Sequence, residues 1–161
     1  MAGQQVTVTM PIRLGILLVE DNPADAAAIA RELERTDFAC VLTRVQSETD
    51  FRRELMLHPP DLILADGDRQ IFDGFRALAI TLDLAPSLPF IFVSASNDQR
   101  LVERMFAAGA AGYIFKRDLH DLKAVLEYVL AESAGPPAAE AASLTVPAAR
   151  LAAARHDILV P

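Results

Sequence analysis

With 161 residues, 52% of them apolar, the chain can bury the core of one ordinary domain and is not disordered as a whole. A net charge of −7 argues against a surface that neutralises nucleic-acid phosphates. Cys40 is the only cysteine, which excludes a disulfide framework and a thiolate metal site.

Met1–Arg13 has no apolar stretch long enough for a signal peptide, and no later run approaches a membrane span. A cytoplasmic domain without nucleic-acid or membrane contact is therefore expected. In chain order, Leu14–Val19 reads as a buried strand, and Asn22-Pro23 supplies an N-cap followed by proline in a first helical turn. That helix runs to about Arg35, with Ala26, Ile29, Ala30 and Leu33 as its inward stripe. Ala39–Val45 is a second strand, which Thr43 and Arg44 mark as less buried. Ser47 and Asp50 resemble a capping box for a helix over Glu48–Leu57, and His58-Pro59-Pro60 stops it.

A third strand carries Asp66, and Asp73-Gly74 leads into a helix to about Leu84. Pro86 and Pro89 end that helix and open a fourth strand over Phe90–Val93. Asn97 is the expected N-cap of a helix over Asp98–Ala108, which Gly109 terminates. A fifth strand ends at Lys116. Asp118 is the expected cap of a last helix that turns Leu119, Leu122, Val125, Leu126, Val129 and Leu130 to the sheet. Five such βα units predict a three-layer α/β/α sandwich over residues 13–132, with a parallel sheet in the flavodoxin-like order 2-1-3-4-5. Residues 1–12 form an N-terminal extension. Residues 133–161 read as an Ala/Pro-rich linker or tail, opened by Gly135-Pro136-Pro137, with a short helix over Pro147–Arg155. Such a tail is too short for an output domain.

Four apolar runs end in polar residues: Val19 leads into Glu20 and Asp21, Ala65 into Asp66, Val93 into Ser94 and Phe115 into Lys116. Ligands of open parallel sheets bind beyond the carboxyl ends of the strands. Three carboxylates, a hydroxyl and an ammonium should thus share one crevice.

In order along the chain, Ile16-Leu17-Leu18-Val19-Glu20-Asp21-Asn22, Pro60-Asp61-Leu62-Ile63-Leu64-Ala65-Asp66 with Gly74 eight residues on, Val93-Ser94-Ala95 and Gly112-Tyr113-Ile114-Phe115-Lys116 resemble a two-component response-regulator receiver domain. The resemblance spans about Arg13 to Glu132. It implies that Asp66 accepts a phosphoryl group, that Glu20, Asp21, Asp66 and the main-chain carbonyl of Asp68 hold Mg²⁺, and that Ser94 and Lys116 bind phosphoryl oxygens. It further implies a switch in which Ser94 moves toward the phosphoryl group and Tyr113 rotates inward from an exposed position. The donor would be a histidine kinase or a histidine phosphotransfer protein, and the recipient a downstream protein partner or output domain. Such a chain is a signalling switch that gains and loses its own phosphoryl group, not a turnover enzyme. It is either a single-domain regulator or a receiver from a longer hybrid sensor or regulator.

The residue types suit that chemistry. A carboxylate attacks phosphorus to give an acyl phosphate, and phosphoryl transfer asks mainly for positioning and charge neutralisation. Clustered carboxylates attract a hard cation such as Mg²⁺, and lysine offers a point charge. Two positions depart from the family pattern: Gln70 replaces a proline four residues after Asp66, and Arg117 replaces the proline after Lys116, so a cis peptide is not expected there. Asp61, Asp68 and Asp73 read as solvated loop charges, although Asp68 adds a fourth carboxylate near the site. Tyr113 reads either as a half-buried aromatic or as the switch. His58, His120 and His156 suit helix ends and tails, and Cys40 a small buried hydrophobe. Two rival readings stand beside the receiver. One is a pseudo-receiver that binds partners without taking phosphate. The other is a haloacid-dehalogenase-like phosphatase, suggested by Asp66-Gly67-Asp68, although that motif belongs on the first strand of its fold.

Overall fold

The computed structural model describes residues 11–68 and 72–134. Five strands, β1 (Arg13–Val19), β2 (Ala39–Val45), β3 (Leu62–Asp66), β4 (Phe90–Ser94) and β5 (Gly112–Phe115), alternate with five helices, α1 (Pro23–Leu33), α2 (Glu48–Leu57), α3 (Gly74–Leu84), α4 (Gln99–Ala107) and α5 (Leu122–Ser133). All strand pairs are parallel, in the order β2-β1-β3-β4-β5. This is the expected flavodoxin-like sandwich. Residues 1–10 of the expected extension, the tail beyond residue 134 with its short helix, and Gln70 lie outside the described residues.

The strands are almost uniformly apolar because helices cover both faces of the sheet. Leu14, Ile16 and Leu18 of β1 face one way, with Leu62, Leu64, Ile91, Val93 and Ile114, against α1 and α5. Leu17 and Val19 face the other, with Ile63, Ala65, Phe90 and Phe92, against α2, α3 and α4. Each fully buried Leu, Ile or Phe is worth roughly 1.5–3 kcal/mol. The sandwich is thus held by the same residues that set its strand register. β2 lies at the sheet edge and exposes Thr43 and Arg44, as their polarity requires. Cys40 is half-buried there, with its Sγ 3.7 Å from Thr36 Oγ1.

Local signals are honoured where one residue type dominates. Asn22 Oδ1 accepts from the N–H groups of Ala24 and Asp25 at 2.9 and 3.4 Å, with Pro23 opening α1. Ser47 Oγ accepts from Asp50 N at 3.1 Å and donates to Asp50 Oδ2 at 2.8 Å, so the shorter Asp closes the box on the hydroxyl. Gly109, at φ +110°, ends α4 in a Schellman motif: its N–H donates to Phe106 O at 3.0 Å, and Ala110 N–H to Met105 O at 3.1 Å.

Two caps differ from expectation. Asp98, not Asn97, caps α4: its carboxylate accepts from Arg100 N at 2.9 Å, and an anion also suits the positive end of the helix dipole. Asp118 does not cap the last helix. Lys116–Asp121 forms a 3₁₀ turn with Asp118 at φ −111°, ψ 32°, and α5 starts only at Leu122. Residues three apart eclipse in a 3₁₀ turn, which lets Leu119 and Leu122 both reach the core. No peptide among the described residues is cis, including that following Lys116.

Candidate functional site

The crevice forms where β1, β3, β4 and β5 end. Glu20 follows β1 and is fully buried. Its Oε1 accepts from Asn22 N at 2.9 Å, so the residue that caps α1 also fixes the first acid. Arg44 on β2 holds the backbone of the acid pair, donating from Nε to the Glu20 carbonyl at 2.7 Å and from Nη2 to the Asp21 carbonyl at 2.6 Å. Asp66, the last residue of β3, is 6% exposed, and Asp21 is exposed. One oxygen from each of Glu20, Asp21 and Asp66 lies within 4.8 Å of the others. Burial raises the Glu20 carboxyl above its ordinary 4.5; Asn22 N–H opposes that rise, Asp66 reinforces it and Lys116 opposes it. An all-oxygen donor set with a disfavoured buried charge fits a hard divalent cation.

Lys116 closes the site from β5. Its Nζ lies 3.2 Å from Glu20 Oε2, 3.3 Å from Asp66 Oδ1 and 2.7 Å from Asp25 Oδ2. Burial works against its charge, but the bond to Asp25 and the charges of Asp66 and Glu20 outweigh it, and its pKa lies above the ordinary 10.5. Asp25, in the first turn of α1, is a site residue that the sequence reading missed. Its only local signal is its position four residues after Asp21.

Asp61 and Asp68 are exposed and Asp73 is half-buried, as solvated loop charges should be, but each carboxylate also accepts hydrogen bonds. Asp61 Oδ2 accepts from Gly15 N at 2.7 Å, and Asp73 caps α3 through Arg76 N at 2.6 Å. Asp68 reaches across the site: its Oδ1 accepts from Ser94 Oγ at 2.8 Å and its Oδ2 from Ala95 N at 2.6 Å. Its own N–H donates to Asp66 Oδ1 at 3.0 Å. Two glycines permit this crowding. A Cβ on Gly67 would meet Met105 Cε and Ser94 Cβ, and one on Gly74 would meet Phe92 and the Asp66 carbonyl.

Tyr113 is half-buried, as one of its two readings had it and not exposed as the switch reading had it, and its hydroxyl donates to the Ser96 carbonyl. Burial, then the Asp68 charge, pushes its pKa up to about 12, so it remains a donor. His58 pairs with Glu54 at 2.9 Å and His120 lies near Asp121, both away from the crevice. His156 lies outside the described residues.

The parallel α/β sandwich thus gathers acids, a hydroxyl and a lysine at the ends of its strands. The response regulator receiver domain family matches residues 16–127, and the chain belongs to that family. It is 27% identical over 131 residues to the two-component response regulator ARR10 of Arabidopsis thaliana, covering 80% of this chain and 23% of that protein. It is 26% identical over 122 residues to ARR12 of the same organism, covering 74% and 20%. The chain thus spans about a fifth of the length of these relatives. Among solved structures it resembles the receiver domain of the sensor histidine kinase PA1611 from Pseudomonas aeruginosa, which holds a magnesium ion in its active-site cleft (26% identity, TM-score 0.64, 73% of this chain and 98% of that one). The Mn²⁺-bound form of the response regulator Rcp1 shares the fold at 23% identity, with a TM-score of 0.61, over 73% of this chain and 94% of that one. Family and strand order leave the haloacid-dehalogenase reading without support, since Asp66 ends the third strand.

No helix among the described residues is long and apolar enough to cross a membrane.

Proposed function

We propose that the chain is a phosphoryl-accepting receiver in a two-component relay, with Asp66 as the acceptor. The observation that carries this is Lys116: one ammonium lies within 3.3 Å of both Asp66 and Glu20, at the end of a parallel sheet. An Asp66 carboxylate oxygen attacks the phosphorus of a phosphohistidine on a kinase or phosphotransfer protein. The P–N bond breaks, its electron pair stays on the imidazole nitrogen, and a mixed carboxylic–phosphoric anhydride forms on Asp66. Glu20, Asp21, Asp66 and the Asp68 carbonyl would hold Mg²⁺, which neutralises phosphoryl charge when bound. Lys116 and the Ser94 hydroxyl bind phosphoryl oxygens.

Ser94 and Tyr113 then report the phosphoryl state to the surface of α4, β5 and α5, as a population shift between two packings. A downstream protein or an output domain reads that surface, in the cytoplasm. Phosphoramidate, a small P–N donor, tests the transfer. Intact mass should show one phosphoryl adduct with Mg²⁺ and none with a chelator. Absence of an adduct on the folded, Mg²⁺-supplied protein would instead favour a receiver fold that acts by binding alone.

A further inference from the structure

Asp68 stands apart from the other acids because two donors from another strand end already hold its carboxylate. It caps no helix, since Asp73 caps α3. Its partners are distant in sequence: Ser94 and Ala95 lie 26 and 27 residues away. A hydroxyl and a main-chain N–H aimed at the two oxygens of one anion form an oxyanion cradle, which serves a carboxylate or a phosphoryl group alike. Its own N–H, on Asp66 Oδ1, ties this turn to the acceptor itself. The turn is closely fitted, because a Cβ on Gly67 would sit 3.2 Å from Ser94 Cβ and displace the end of Met105.

We propose that the Asp68 carboxylate is an internal oxyanion that occupies the Ser94–Ala95 cradle before any phosphoryl group arrives. This rests on the receiver reading above. Two consequences follow from the contacts. A phosphoryl group on Asp66 must displace Asp68 to gain Ser94, so Asp68 sets the threshold for occupying the site. Ser94 Oγ, while donating to Asp68, accepts from Ser96 N at 3.1 Å, and Ser96 in turn receives the Tyr113 hydroxyl on its carbonyl. The internal anion therefore holds the switch residues in one connected arrangement without phosphate.

Two measurements on the full chain test this, with Asp68→Asn and Asp68→Ala. In metal-free and phosphate-free protein, the Ala95 amide proton should resonate far downfield in the parent and move upfield in Asp68→Ala, while resonances remote from the site stay put. Calorimetry with beryllofluoride and Mg²⁺ should show both variants binding about tenfold tighter than the parent, since a competing charge has gone. An Ala95 resonance that does not move in Asp68→Ala, or parent-like beryllofluoride affinity in both variants, would overturn the proposal. If no protein binds beryllofluoride while the Ala95 resonance still moves, the receiver reading fails and the internal anion stands.

Discussion

Glu20 shows the conflict between stability and function in its simplest form. Burial raises its carboxyl above 4.5, so folding shifts its balance toward the neutral form. A raised acid contributes stability below its ordinary value and loses it as the pH climbs through the raised one. Mg²⁺ reverses the preference, because only the carboxylate is a ligand. The Mg²⁺-induced rise in Tm should therefore grow as the pH climbs above the ordinary carboxylate value. Glu20→Gln should raise Tm by a few degrees without metal, since it removes an unfavourable buried charge and leaves Lys116 with Asp25 and Asp66. It should also lose most of the Mg²⁺ response. A fall in metal-free Tm, or an undiminished response, would contradict this electrostatic picture; thermal melts with and without Mg²⁺ decide. At this scale the sequence was readable only in part. Glu20, Asp21, Asp66, Ser94 and Lys116 stand out because each follows an apolar run. Asp25 and Arg44 do not, and Asp68 stands out only as a fourth carboxylate nearby, because their roles come from partners 91, 24 and 26 residues away.

At the scale of elements, the legible features are those with one dominant local cause. Asn22 before Pro23 and Gly109 after α4 each have a single good candidate for their position. The start of α4 does not, since Asn97 and Asp98 are both good cap residues and Asp98 takes the position. The 3₁₀ turn at Lys116–Asp121 was hidden for a related reason: Asp118 looks like a cap, yet the chain must still bring Leu119 and Leu122 to the core. Gly74 shows how closely α3 meets the sheet beneath the acceptor. Gly74→Ala would press a methyl against Phe92 and the Asp66 carbonyl. The expected cost is about 1–3 kcal/mol, despite the better helix propensity of alanine, because a packed ring and backbone must move. Urea unfolding should show a lower midpoint with an unchanged slope. A midpoint equal to or above the parent's would mean that the α3–β4 contact is looser than described.

For the whole molecule, topology does the assembling. The order β2-β1-β3-β4-β5 brings residues from positions 20 to 116 to one end of the sheet, at strand termini that tolerate polar groups. The strand count, parallel order and crevice were all readable from alternating apolar runs and helix patterns, because a sheet covered on both faces leaves few other arrangements. The position of Tyr113 was left open between half-buried and exposed, since its hydroxyl partner, the Ser96 carbonyl, lies 17 residues away on another loop. The central claim is that Asp66, among several crowded carboxylates, forms the bond to phosphorus. The most direct measurement is to incubate the chain with acetyl phosphate and Mg²⁺, reduce the acyl phosphate with borohydride and locate the modified residue by peptide mass spectrometry. The account predicts homoserine at position 66 alone. Modification at Asp21 or Asp68, or an unmodified Asp66 after phosphoryl uptake, would contradict it.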